Sequence, residues 1–142
     1  MLSVETQKFE ITKTESLWFM ITSTLNILPI IFALQKRLLF YGITSFGTGL
    51  FSLLYWRNPI HGWRRSIDIF YAKYTYLVYL CSGFYYIPYG LPAIIFYIGA
   101  SSIVIAYSMN YVYPHIWTRF HTAVHLLSIL TKLYILCYIS RW

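Results

Sequence analysis

Residues 17–34 read LWFMITSTLNILPIIFAL, a run without a single charged side chain. As a helix it rises 1.5 Å per residue, which brings it close to the ~30 Å of a bilayer's hydrocarbon. The residues before it are polar, with Glu5, Lys8, Glu10, Lys13 and Glu15 carrying both signs. Thr12 and Glu15 have the spacing of a capping box, so the helix is expected to begin there. This leader has no small-residue cleavage site behind it and does not read as a signal peptide. Pro29 is expected to kink the helix.

Four more apolar runs follow: 38–56, 67–87, 91–113 and 120–139. Their separators are the turn Gln35-Lys36-Arg37, the polar loop from Arg57 to Arg65, the breakers Pro88, Gly90 and Pro92, and Pro114. The expected fold is therefore all-α: a polar segment over 1–16, then a transmembrane helix bundle of about five spans over 17–142. Composition agrees. Of 142 residues 58% are hydrophobic and 11% charged, with a mean hydropathy of +0.57. A soluble domain needs about a quarter charged residues to wet its surface. Cys81 and Cys137 fall inside apolar runs and read as small buried hydrophobes.

The net charge is +7. No DNA- or RNA-binding motif accompanies it, so the basic residues read as loop charges facing anionic lipid. Five spans put Lys8, Lys13, Arg57, Arg64, Arg65 and Arg119 on one side, and Lys36, Arg37 and Arg141 on the other. That bias favours a cytoplasmic N-terminus. Trp56, Trp63 and Trp117 suit the interfacial belt. Tyr76, Tyr79 and Tyr107 lie too deep for it, and their hydroxyls should find partners within the bundle.

Polar residues inside a membrane are costly, and each marks a site to be explained. In the last span His121, His125, Ser128 and Lys132 fall on one helix face. His121 and His125 have the i, i+4 spacing that lets two imidazoles share a metal ion. Ser52 sits one turn from the end of the second span, and Asp68 in the first turn of the third. With five spans, Ser52, Asp68, His121 and His125 share one depth near the cytoplasmic face, with His61 and His115 in the loops above. Such a layer could hold a metal beside a general base. The bland alternatives are an Asp68 pair with Arg64 or Arg65, histidines bonded to tyrosines or backbone, and close helix packing at Ser45-x3-Gly49 and Thr48-x3-Ser52. Lys132 has no obvious acid at its depth.

This constellation resembles the CREST superfamily of membrane hydrolases, which includes alkaline ceramidases and progestin-and-adipoQ receptors. That family carries Ser-x3-His late in one helix, Asp early in the next, and His-x3-His in the last. Ser52, Asp68 and His121-Thr-Ala-Val-His125 stand here in that order. The resemblance implies a zinc ion, Zn2+, held by histidines with Ser and Asp close by, and hydrolysis of a lipid amide such as ceramide. The chain departs from the family at Trp56, where the third histidine would stand, and in having five expected spans against seven.

Two functions follow as expectations. One is a metal-dependent hydrolase of lipid amides or esters at the cytoplasmic interface. His121 and His125 would hold the metal, Asp68 would activate water and Ser52 would orient it. The other is a non-catalytic scaffold or subunit of a larger membrane complex. A channel or transporter ranks third, since five spans leave little room for a pathway. Expected partners are membrane lipids, and other membrane proteins or further copies of the chain.

Overall fold

The computed structural model describes residues 11–59 and 62–142. The chain is all-α, and no strand occurs among the described residues. In chain order the helices are α1 (Lys13–Thr24), α2 (Ile27–Gln35), α3 (Leu39–Trp56), α4 (Trp63–Tyr86), α5 (Leu91–Val112), a 3-10 turn (Pro114–Ile116) and α6 (Trp117–Ile139). Three stretches are long and apolar enough to cross a membrane: Lys13–Gln35, Leu91–Val112 and Pro114–Ile139. The chain thus has the makings of an integral membrane protein.

The capping box forms as expected. The Glu15 amide donates to Thr12 Oγ1 at 3.2 Å, and the Thr12 amide donates to the Glu15 carboxylate at 2.9 Å. The kink in the first span lies at Leu25–Asn26, ahead of Pro29 itself. A proline has no N–H to offer and its ring crowds the carbonyl four residues earlier. Four residues before Pro29 is Leu25, where α1 is capped, and Pro29 rides inside the first turn of α2. Arg37 closes the next turn with a positive φ of 59°.

The loop after α3 is shorter than expected. Trp63, Arg64 and Arg65 already belong to the first turn of α4. Pro114 ends α5, but the chain resumes helix almost at once through the 3-10 turn, so α6 starts at Trp117 and not Phe120.

The polar and small residues of α3 face inward, with Gly42, Thr44, Ser45, Gly47, Gly49 and Ser52 buried. Its outward face is Leu39, Phe40, Ile43, Phe46, Leu50 and Leu54. This is the arrangement that lets helices approach closely in lipid. Gly49 lies against Asn26 of α2, where an added Cβ would stand 3.1 Å from the Asn26 Cβ. The deep tyrosines find partners: Tyr79 pairs with Ser45 at 2.8 Å, Tyr76 donates to the Ala100 carbonyl at 3.3 Å, and Tyr107 meets Tyr111 at 3.1 Å.

Two expectations are corrected. Cys81 is exposed on the outer face of α4 and Cys137 is half-buried. Trp56 is not an interfacial residue. It is buried against Phe19 and Tyr55, with its carbonyl accepting from the Ser16 hydroxyl. Its place at the end of α3, directly under α1, shields it.

α5 lies along α6, and α4 packs on both α3 and α6. α4 and α5 meet near their connecting turn, where Phe96 fits against Gly83 and Phe84. Away from that turn they part, and a cavity occupies the space between them and α6.

Candidate functional site

α6 supplies the site's backbone. His121, His125, Ser128 and Lys132 project from one face of it, as their spacing requires, and all four line a cavity of about 400 Å³. Ser52 from α3 and Asp68 from α4 line the same cavity. The four candidate residues are therefore brought together. Asn26, Thr48, Lys73, Thr75, Tyr76 and Tyr107 complete the polar part of the wall, while Ile69, Leu77, Ile103 and Val104 make it largely apolar. A mostly apolar pocket with a few convergent polar groups is the usual form of a small-molecule site.

The polar groups are linked. Asp68 is hydrogen-bonded to the Ser52 side chain. Ser52 Oγ lies 2.8 Å from Ser23 Oγ, and Ser23 Oγ lies 3.4 Å from His125 Nδ1. Thr22 Oγ1 approaches the same nitrogen at 3.3 Å. His125 Nε2 then faces His121 Nε2 at 3.2 Å. The series Asp68, Ser52, Ser23, His125, His121 runs through four helices in one layer. Every neighbouring pair in it can share a proton.

The histidines sit in an aromatic frame. The His121 ring stands edge-on to Phe19 and Trp56, each 5.0 Å away between centroids, and to Trp117 at 5.8 Å. Trp56 Nε1 is buried without a hydrogen-bond partner. Indole N–H groups usually find one when buried, so this donor is an exception.

As a metal site the pair is half complete. Two nitrogens bound to one tetrahedral zinc at about 2.0–2.1 Å stand roughly 3.3 Å apart, and the observed Nε2 separation of 3.2 Å matches. The partners on His125 Nδ1 orient the ring so that Nε2 faces His121 Nε2, as outer-shell bonds orient ligands at metal sites. Yet among the described residues no group of three His, Cys, Asp or Glu could hold a metal. His115 is exposed in the 3-10 turn and packs against Tyr113, away from the pair. His61 lies outside the described residues, as do Glu5, Lys8 and Glu10.

Three site residues were not singled out by the sequence: Thr22, Ser23 and Asn26. Ser and Thr in an apolar helix commonly serve packing alone, which hides the first two. Asn26 was visible as the lone amide in an 18-residue apolar run, a costly choice inside a membrane. Its Oδ1 accepts a 2.8 Å hydrogen bond from Lys132 Nζ.

The chain matches no protein-family model, no curated protein and no solved structure.

Proposed function

We propose that this is a five-span membrane protein with a cytoplasmic N-terminus, and that its cavity is a hydrolytic site for a lipid amide or ester. The observation that carries this reading is the single cavity lined by Ser52, Asp68, His121 and His125. The five-span count draws on α3 and α4, which have 18 and 24 residues. The hydropathy of α3 is lowered by Ser, Thr and Gly that face neighbouring helices, and that of α4 by Arg64, Arg65, Asp68, Lys73 and six tyrosines, while large apolar side chains cover the outer faces of both.

Asp68 is the proton acceptor in this reading. Its bond to Ser52 holds the carboxylate on the cavity wall, where it would take the proton from water and return it to the leaving amine or alcohol. His121 and His125 would be two ligands of a zinc ion, which supplies Lewis acidity toward water and a substrate carbonyl oxygen. The resemblance to the CREST superfamily supports the same assignment. Leu77 and Val104, half exposed on the outer surface, also line the cavity, so a lipid can enter sideways between α4 and α5.

A non-catalytic membrane subunit is the second reading. It is favoured by the missing third ligand, whose position near His121 is filled by Trp56. The test is hydrolysis of a fluorogenic ceramide analogue and of an ester counterpart by detergent-purified protein, with zinc content measured in parallel. Wild type should turn over at least one substrate. Asp68→Asn and His125→Ala should each lose at least a hundredfold. Wild type without turnover and without stoichiometric metal sinks the hydrolase reading and leaves the second.

A further inference from the structure

Lys132 is a second centre of the cavity, and hydrolysis does not use it. It is buried, with 3% of its surface exposed. It sits seven residues before the end of α6, about 10 Å from that end and about 22 Å from the other. Its Nζ donates to Asn26 Oδ1 at 2.8 Å and stands 5.9 Å from the centre of the Tyr79 ring. Both partners are neutral. No carboxylate among the described residues forms an ion pair with it. An ammonium has three donors, and Asn26 satisfies one. A cation at hydrocarbon depth without a counter-charge is costly unless a ligand supplies one.

We propose that Lys132 and Asn26 form the receiving end of the cavity for the carboxylate of a single-chain lipid acid. Lys132 itself lines the cavity, and two of its three donors are left for a ligand there. The rest of the wall near it, Ile103, Val104 and Leu77, suits an alkyl chain. A volume of about 400 Å³ is enough for one alkyl chain. The charge also selects. Lys132 offers one positive charge, matching a carboxylate, whereas a phosphate monoester brings nearly two charges and three acceptor oxygens. Asn26 Nδ2 gives one of its two hydrogens to the Ser23 carbonyl at 3.0 Å, which leaves a single amide donor beside the ammonium, enough for a carboxylate and too little for a phosphate. Lys73, the other cation on the wall, is exposed on the outer surface of α4, whereas Lys132 is buried. The inference holds whether or not the cavity hydrolyses anything.

The experiment measures binding of carboxyl-labelled hexadecanoate to the full chain in detergent, with hexadecanol as the uncharged control. Wild type should bind about one hexadecanoate per chain saturably. Lys132→Met should weaken hexadecanoate at least tenfold and leave hexadecanol unchanged. Asn26→Asp installs an internal counter-charge beside Lys132 and should do the same while keeping the fold. Equal hexadecanoate binding by wild type and both variants overturns the proposal, as does a wild type without saturable binding. A parallel loss of hexadecanol in both variants overturns it too, since the chain pocket and not the charge would then be responsible. Displacement by lysophosphatidic acid at lower concentration than by hexadecanoate would reassign the site to phosphate.

Discussion

The hydroxyls of Ser23 and Ser52 lie 2.8 Å apart, joining α1 to α3 at the layer where α6 presents His125. Both are buried, so water cannot replace the bond between them when it is lost. Ser23→Ala should cost about 1 kcal/mol, in the range of polar contacts between membrane helices. It also severs the link from Ser52 to His125. Turnover should fall about tenfold, with Ser23→Thr restoring most of it. Unfolding in mixed micelles and ceramide-analogue assays measure the two effects. Normal turnover in Ser23→Ala would show that the relay has no catalytic part.

Trp56 is the residue to change if the site is to take a third ligand. Its ring centroid stands 5.0 Å from that of His121, and its N–H has no partner to lose. Trp56→His should raise zinc affinity at least tenfold, because a third imidazole comes within reach of the His121–His125 pair. Packing against Phe19 and Tyr55 is lost at the same time, at a cost of about 2 kcal/mol. Trp56→Phe loses less packing and should leave metal affinity as in wild type. Zinc titration against a competing chelator separates them.

Two glycines test the helix packing that shapes the cavity. A Cβ on Gly83 would stand 2.4 Å from the ring of Phe96, which is fully buried. A Cβ on Gly47 would meet the Tyr71 ring at 2.6 Å, but Tyr71 is half exposed and can turn aside. Gly83→Ala should therefore destabilise by about 1–3 kcal/mol, and Gly47→Ala by less than half as much. Adding Phe96→Leu to Gly83→Ala should recover part of the loss. Equal costs at the two positions would mean that α4 and α5 do not meet through Phe96.

Much of this was written locally. The Thr12–Glu15 box, the prolines and the one-face spacing of His121, His125, Ser128 and Lys132 are short-range signals, and each acts within a turn or two of helix. The co-layering of Ser52 and Asp68 with the histidines followed from counting spans. What escaped was long-range and neutral. Ser23 and Thr22 acquire meaning only when α1 lies against α6, over 100 residues away in sequence. Trp56 reads as a belt residue until α1 covers it. Lys132 had no partner in any acid, and the amide that serves it sits across the bundle on a different helix. No short spacing links residues 26 and 132.

The number of spans decides which loops share a side of the membrane, and with it the side on which the cavity's layer lies. If α1–α2, α3, α4, α5 and α6 each cross once, Lys13, Asn58 and His115 lie on the cytoplasmic side. Lys36, Tyr89 and Trp142 then lie on the other. All six are exposed, so a cysteine at any of them can be reached without disturbing the core. With Cys81 and Cys137 first replaced by alanine, single cysteines at the six positions should label in two groups of three from opposite faces with a membrane-impermeant maleimide. The basic residues predict which group faces the cytoplasm, since Arg57, Arg64, Arg65 and Arg119 cluster with the first group. A three-span arrangement using only Lys13–Gln35, Leu91–Val112 and Pro114–Ile139 would put Asn58 and Tyr89 on the side of Lys36. Labelling of Asn58→Cys from the same face as Lys36→Cys would overturn the five-span reading.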